Sequence, residues 1–153
     1  MITFHTLLSI KMIIIEFIIM VLVGIFFNPM NMLAYRFDDL YLSLTLFYGG
    51  LLMASNMIWA HELIHYLSVG HINMKKLIFG LGLSVIIVVF LLRNQWYVDD
   101  KQWLRRMISH HSTALTTSHK IVNRTKNNDI KKLATDIIKV QEKEISLMKK
   151  MLK

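Results

Sequence analysis

Residues 40–60 read LYLSLTLFYGGLLMASNMIWA, a run of 21 residues without a charged side chain. A bilayer core about 30 Å thick needs roughly 20 apolar residues in a helix, so this run predicts a membrane-spanning helix. Two further apolar runs, residues 7–27 and residues 77–92, flank it and predict a span each. The first run ends at Asn28-Pro29, where proline disfavours continuation of a helix.

The charged residues are divided unevenly along the chain. Residues 1–92 hold four basic and four acidic residues, so the whole formal net charge of +8 lies in the remaining C-terminal part. We therefore expect a membrane domain over residues 1–93 and a separate polar domain over residues 99–153. The chain has no cysteine, which excludes disulfides, thiolate zinc sites and cysteine nucleophiles.

Basic residues in the short loops predict the orientation of the spans. The first loop has only Arg36, whereas the second has Lys75 and Lys76, and cytoplasmic loops carry an excess of basic residues. The second loop is then cytoplasmic, and the C-terminal domain lies on the outer, periplasmic side of a cytoplasmic (inner) membrane. We interpret the first run as a retained span, because no small-x-small cleavage site follows it; a cleaved signal peptide is the alternative.

The segment His61-Glu62-Leu63-Ile64-His65 matches the H-E-x-x-H pattern, in which two histidines on one helix face bind zinc and the glutamate acts as general base. His71 falls where an extended form of this pattern has its third ligand. That form also needs a glycine three residues after the second histidine, and Ser68 stands there. The segment therefore leaves two interpretations open, a zinc hydrolase site and a polar helix end at the membrane interface.

The C-terminal domain has the pattern of two amphipathic helices. Asp99 and Gln102 resemble a capping box, and the first helix should run to about Asn123. A polar turn over residues 124–128 follows, and a second helix then runs nearly to the C-terminus. We expect the two helices to fold back on one another as an antiparallel hairpin.

Each helix of this hairpin has an apolar stripe that polar residues interrupt. The first stripe is Trp103, Met107, His110 with His111, Ala114, Ser118 and Ile121. The second is Ile130, Leu133, Ile137, Gln141, Glu144, Met148, and Met151 or Leu152. Antiparallel packing places His110 opposite Gln141, Met107 opposite Glu144, and Trp103 opposite Met148. Buried polar groups are costly unless they pair or bind something, and imidazole with thioether favours soft or borderline metals, above all copper. The alternative is a satisfied polar network with methionines filling space.

The region from Trp103 to Leu152 resembles the domain of unknown function 305 family. The matching residues are Met107-Ile108-Ser109-His110-His111-Ser112, then Leu133-Ala134, Ile137-Ile138, Gln141, Glu144-Ile145 and Met148. The family signature is a Met-Ile-Pro-His-His run followed by a Gln-x-x-Glu-Ile-x-x-Met helix. Some members also place three hydrophobic spans before one such domain.

The resemblance implies a helical, ferritin-like bundle outside the cytoplasmic membrane, associated in some members with copper binding and metal tolerance. The residues it marks as metal ligands are Met107, His110, His111, Gln141, Glu144 and Met148. Two positions depart from the family pattern, because Ser109 replaces the usual proline and Thr117 stands where a methionine is common. His119 is a candidate replacement ligand.

We therefore expect an all-α protein with three transmembrane helices and a C-terminal hairpin that forms half of a ferritin-like bundle. A homodimer or higher oligomer would complete the bundle. The expected function is membrane-anchored binding of a metal ion, copper, without catalysis. One alternative is a zinc metallopeptidase that uses His61, Glu62 and His65, with His71. Another is a structural or interaction protein that docks on anionic lipid or polyanions; nucleic acid is not an expected partner, because no reader motif is present.

Overall fold

The computed structural model describes residues 4–153, with side chains from residue 11 onward. Residues 1–3 of the expected membrane domain, and the side chains of residues 7–10 in the expected first span, lie outside the described part. All regular structure within the described residues is helical, which confirms the all-α class. The elements are α1 Phe4–Phe26, α2 Pro29–Met32, a 3-10 turn Phe37–Asp39, α3 Leu44–Val69, α4 Met74–Ile86 with a π-helical continuation Ile87–Arg93, α5 Asp100–Val122 and α6 Asn128–Met151.

The chain divides into two compact units. The first comprises Met1–Phe26 with Thr45–Trp96, and the second comprises Phe27–Leu44 with Tyr97–Lys153. The sequence placed all of residues 1–93 in a membrane domain and began the hairpin domain at residue 99. The structure instead groups Phe27–Leu44, the connection between α1 and α3, with the hairpin.

Two stretches of the described residues are long and apolar enough to cross a membrane. They are Lys11–Met32, with a mean hydropathy of 2.4, and Met74–Arg93, with a mean hydropathy of 2.3. They correspond to the first and third expected spans. The expected second span, residues 40–60, is not among them, because α3 begins at Leu44 and its later turns contain Asn56 and His61.

Small residues allow the helices of the first unit to approach closely. A Cβ atom added to Gly24 would lie 2.7 Å from the Cα of Gly50, and one added to Gly80 would lie 2.9 Å from a backbone nitrogen of α3. The hydroxyls of Ser55 and Ser84 share a buried hydrogen bond of 2.9 Å between α3 and α4. Small residues and short polar contacts of this kind also occur where helices pack against one another in membranes.

The ends of the hairpin helices agree with the expected ones to within about two residues. Asp99 caps α5, because its carboxylate accepts a hydrogen bond of 2.7 Å from the backbone N–H of Gln102. The Gln102 side chain does not close a capping box and instead accepts a bond of 2.9 Å from the backbone N–H of Leu44. Asn127 caps α6, because its side-chain oxygen accepts hydrogen bonds from the backbone N–H groups of Asp129 and Ile130.

The buried face of α5 differs from the predicted stripe. The core cluster of the second unit is Leu104, Ile108, Leu115, Ile145 and Met148, with Tyr41, Met107, Ile138 and Leu152 packed against it. Trp103 and Ile121, which the stripe placed inside, are exposed. The predicted face was therefore wrong by about one residue, or roughly 100° around an α-helix.

Serine side chains on α5 form hydrogen bonds with the Phe27–Leu44 segment. These bonds explain why the buried face of α5 is rotated from the predicted one. The Ser112 hydroxyl donates to the carboxylate of Asp39 over 2.7 Å and accepts from the backbone N–H of Tyr35 over 2.8 Å. The Ser109 hydroxyl donates to the Asp39 carbonyl over 2.9 Å and accepts from the N–H of Tyr41 over 3.2 Å. The chain itself thus covers a face of α5 with polar contacts, and dimerisation stays a prediction.

Candidate metal site

His111 and Glu144 form a contact between α5 and α6 in the middle of the hairpin. The Nδ1 of His111 lies 3.1 Å from Oε2 of Glu144, and the histidine side chain is only 13% exposed against 46% for the glutamate. The stripes placed Met107 opposite Glu144, whereas the structure shows a contact of Glu144 with His111. The contact joins an imidazole and a carboxylate at the edge of the core.

Burial lowers the pKa of His111 below its ordinary value of 6.5. The Glu144 carboxylate opposes this effect and raises the pKa, whereas the neighbouring imidazole of His110 adds to the lowering. The balance favours the neutral imidazole near neutral pH. A neutral imidazole is the form that binds metal ions, because it keeps a nitrogen lone pair.

Two more predicted ligands lie next to this pair. Gln141 is one helical turn before Glu144, and its Oε1 is buried without a hydrogen-bond partner. His110 is exposed, and its ring centroid lies 5.8 Å from that of His111. An amide oxygen without a partner is costly to bury, so the region around Glu144 has an acceptor available for a further ligand.

The methionines predicted as ligands lie on the core side of the hairpin. Met148 belongs to the buried cluster, and Met107 packs against that cluster from its edge. Both side chains therefore contribute apolar packing, which a flexible thioether side chain does well.

His119 is near the C-terminal end of α5, two turns beyond His111, and it contacts a different part of the chain. Its ring stacks on Tyr35 with 4.7 Å between centroids and 14° between planes. Its Nε2 is buried without a hydrogen-bond partner. His119 thus packs against the Phe27–Leu44 segment.

The described residues contain no group of three histidine, aspartate or glutamate side chains placed to hold a metal ion. The hairpin supplies one close imidazole and carboxylate pair, with an amide oxygen and a second imidazole nearby. A complete coordination shell there would need ligands in addition to His111 and Glu144, drawn from these neighbours or from water.

The H-E-x-x-H segment closes the turn between α3 and α4. The buried Glu62 carboxylate accepts a hydrogen bond of 3.1 Å from the N–H of Asn73 and lies 3.4 Å from the Nζ of Lys76. The Nδ1 of His65 is 2.8 Å from the carbonyl oxygen of His71. These contacts engage the carboxylate that a hydrolase would use as its base, and they favour a structural role for Glu62.

Gly70, which follows this segment, has a simple geometric role, and the first histidine of the segment is exposed. Gly70 directly follows α3 with a φ of 75°, a left-handed conformation that favours glycine. His61 is exposed on the last turns of α3. The extended zinc pattern needs a glycine at position 68, but this chain has it at position 70. The end of α3 explains its place, because Gly70 adopts the left-handed conformation there.

Sequence reasoning missed the most buried charged residue of the second unit. Asp39 is fully buried, and its Oδ1 lies 2.6 Å from the Nζ of Lys149. The same ammonium group lies 2.7 Å from Oδ2 of the exposed Asp38. The only sequence signal was a pair of acidic residues in a loop, which gives no indication of a partner far along the chain.

Comparison with known proteins identifies the family. A family model described as "Domain of unknown function (DUF305)" matches residues 93–152. An uncharacterized protein of Acanthamoeba polyphaga mimivirus is 41% identical over 128 residues, which are 83% of this chain and 82% of that protein. This chain belongs to the DUF305 family. The resemblance drawn from the His110-His111 motif is thereby confirmed, and no solved structure matches the chain.

The DUF305 region contains the whole hairpin. It includes His111 and Glu144, as well as Lys149, but not Asp39 or the rest of the segment that packs on α5. The candidate metal site thus lies inside the region that the family model covers, whereas the Phe27–Leu44 segment, which packs on α5, lies outside it.

Proposed function

We propose that this chain is a membrane-anchored metal-binding protein without catalytic activity, and that copper is the ion it binds. The binding residues are His111 and Glu144, with His110 and Gln141 as neighbouring donors. Imidazole nitrogen with carboxylate and amide oxygen suits a borderline divalent ion, which favours Cu(II) over Cu(I) at this site. In this proposal the hairpin is half of a ferritin-like bundle, and the N-terminal helices are its anchor.

The observation that carries the proposal is the close pair of His111 and Glu144 beside an amide oxygen that has no partner. Burial holds the pKa of His111 below its ordinary value of 6.5, which keeps the imidazole neutral and able to coordinate. The buried Gln141 Oε1 would gain a partner on binding. Met107 and Met148 then act by packing in the core of the hairpin.

A topological argument supports three membrane spans. Phe27–Leu44 packs on α5 in one compact unit, so both ends of the connection between residue 44 and residue 97 lie on one side of a membrane. A chain that leaves and returns to one side must cross an even number of times. If Met74–Arg93 crosses, α3 must also cross. The distribution of basic residues in the loops favours an outer location for the hairpin.

Metal titrations of the full chain in detergent test the binding proposal. Competition with a chromophoric chelator would measure the affinity for Cu(II), and separately for Cu(I) and Zn(II). We expect Cu(II) to bind, and the double variant His111→Ala with Glu144→Ala to lose at least tenfold in affinity. His110→Ala should cause a smaller loss.

The double variant His61→Ala with His65→Ala is the matched control, because it removes two histidines from the other candidate segment. It should bind Cu(II) with unchanged affinity. Equal affinity in the hairpin variant and the unaltered protein would refute the proposal. Loss of Zn(II) only in the His61 and His65 variant would instead support the zinc interpretation of that segment.

A further inference from the structure

Helix α6 has a second apolar face that the hairpin core does not use. Its large side chains are between 45% and 63% exposed, and they are Ile130, Leu133, Val140, Leu147 and Met151. With the partly buried Ile137 and Glu144 they form a row that alternates steps of three and four residues. This seven-residue repeat is the pattern of a helix that packs along another helix in a coiled coil.

The charges beside this row are arranged in two halves. The residues immediately before four of the row positions are Asp129, Asp136, Lys143 and Lys150, and all four are exposed. At these four positions acidic residues lie beside the first half of the row and basic residues beside the second half, whereas Lys132 and Lys139, which precede Leu133 and Val140, lie farther from the row on the same side. A parallel copy of α6 in register would place acidic side chains beside acidic ones and basic side chains beside basic ones. An antiparallel copy reverses one of the two rows, so that acidic side chains lie beside basic ones.

We infer that two copies of this chain associate through antiparallel packing of their α6 helices along this row. The two-fold axis would pass near Val140, where Asp136 faces the partner's Lys143 and Asp129 faces the partner's Lys150. The other edge of the row is covered by α5 of the same chain, through Ala134 and Met148. The association would join two hairpins into a four-helix assembly.

The arrangement of charges distinguishes this partner from a lipid surface. A helix that lies on anionic lipid has basic residues along its polar edges, because headgroups attract them. The residues nearest the first half of this row are instead Asp129 and Asp136, which such a surface would repel, and Lys132 and Lys139 lie farther from the row on the same side. A second copy supplies the opposite charges in matching positions.

Glu144 is the polar member of the row. Its carboxylate contacts His111 at 3.1 Å and is 46% exposed in the single chain. A polar residue at one core position of a coiled coil fixes the register of the helices at some cost in stability. Association would therefore shield the contact between His111 and Glu144 from water.

Charge exchange tests the orientation. The mass of the full chain in density-matched detergent would be measured by analytical ultracentrifugation over a range of protein concentrations. Asp136→Lys should weaken the dimer about tenfold, because two symmetric attractions become repulsions. The double variant Asp136→Lys with Lys143→Asp should restore it, since these positions face one another across the axis.

Cross-linking gives a second readout that survives any loss of affinity. The chain has no cysteine, so single introduced cysteines react without ambiguity. A short bismaleimide should cross-link Val140→Cys to itself, and Ile130→Cys to Leu147→Cys in a mixture, but not Ile130→Cys to itself. Glu142→Cys, on the opposite and exposed face of α6, is the control that should not cross-link. A monomeric mass at every concentration, or efficient cross-linking of Ile130→Cys to itself, would overturn the proposal.

Discussion

Lys149 on α6 places its Nζ 2.6 Å from Oδ1 of Asp39, a fully buried carboxylate in the segment between α1 and α3. The other oxygen of Asp39 accepts from Ser112 on α5 over 2.7 Å. One carboxylate thus binds both helices of the hairpin to a segment that is distant in sequence. Since an unpaired buried charge is strongly unfavourable, each partner is needed for the others to stay buried.

Removal of the ammonium group should destabilise the second unit. We expect Lys149→Met to lower the free energy of unfolding by about 3 kcal/mol, because it leaves the Asp39 carboxylate buried with only a hydroxyl partner. Amide hydrogen exchange of the full chain in detergent would show faster exchange at residues 35–44. Lys139→Met, on an exposed position of α6, is the matched control and should change neither quantity.

The pH dependence of this contact has a defined sign. Burial by itself would lower the pKa of Lys149, but the carboxylates of Asp38 and Asp39 outweigh it and raise the pKa above 10.5. The stabilisation is therefore fully present at neutral pH and is lost only as the pH rises through the raised value. Equal stability of Lys149→Met and Lys139→Met at pH 7 would contradict the role of the contact.

The contact of Lys149 also shows what the sequence could not predict. The caps at Asp99 and Asn127 and the hairpin itself depend on neighbours within a few residues, so local pattern indicated the helices. Asp38 and Lys149 are 111 positions apart, and no periodicity relates them. Without knowledge of that packing, two acidic residues in a loop were indistinguishable from solvated ones.

The candidate site was predicted in composition but not in detail. The stripe of α5 contained both His110 and His111, and antiparallel packing placed His110 opposite Gln141, whereas the structure largely buries His111 and leaves His110 exposed. Ser109 and Ser112 are polar residues that are buried because they hydrogen-bond to the Phe27–Leu44 segment. A signal was present, since they share a side of α5 with Ile108 and Leu115, but its meaning depended on a partner segment.

Acidification should weaken the hairpin through His111. Burial lowers the pKa of this imidazole below 6.5, so the unfolded chain binds a proton more readily than the folded chain just below that pH. The free energy of unfolding should therefore fall as the pH drops from 6.5 through the lowered value. Chemical denaturation in detergent at several pH values from 7.5 to about 5 would measure this decrease in the free energy of unfolding.

His111→Asn removes the titrating ring and should remove this component of the pH dependence. His110→Asn is the matched control, because it removes a neighbouring exposed imidazole and should preserve most of the slope. The same slope in His111→Asn as in the unaltered protein would show that other groups cause it.

Glu62 should matter for the turn between α3 and α4 rather than for hydrolysis. Glu62→Ala removes the acceptor of the Asn73 N–H and the partner of Lys76, and should lower stability by about 1 to 3 kcal/mol. Glu62→Gln keeps an acceptor and should cost less. Thermal unfolding in detergent would rank them, with Lys75→Ala as a control on the neighbouring exposed lysine. Unaltered stability in Glu62→Ala together with loss of a peptidase activity would favour the catalytic interpretation.

Two adjacent glycines of α3 should respond oppositely to the same substitution. A Cβ atom on Gly50 would lie 2.8 Å from the carbonyl oxygen of Val21 on α1, a distance that requires the two helices to separate. A Cβ atom on Gly49 meets nothing within 4 Å. Gly50→Ala should therefore destabilise the first unit by about 1 to 3 kcal/mol, as overpacking does, whereas Gly49→Ala should be neutral or slightly stabilising because alanine favours helix. Thermal unfolding of both variants in one detergent would measure the difference, and equal melting temperatures would show that α1 and α3 do not meet at Gly50.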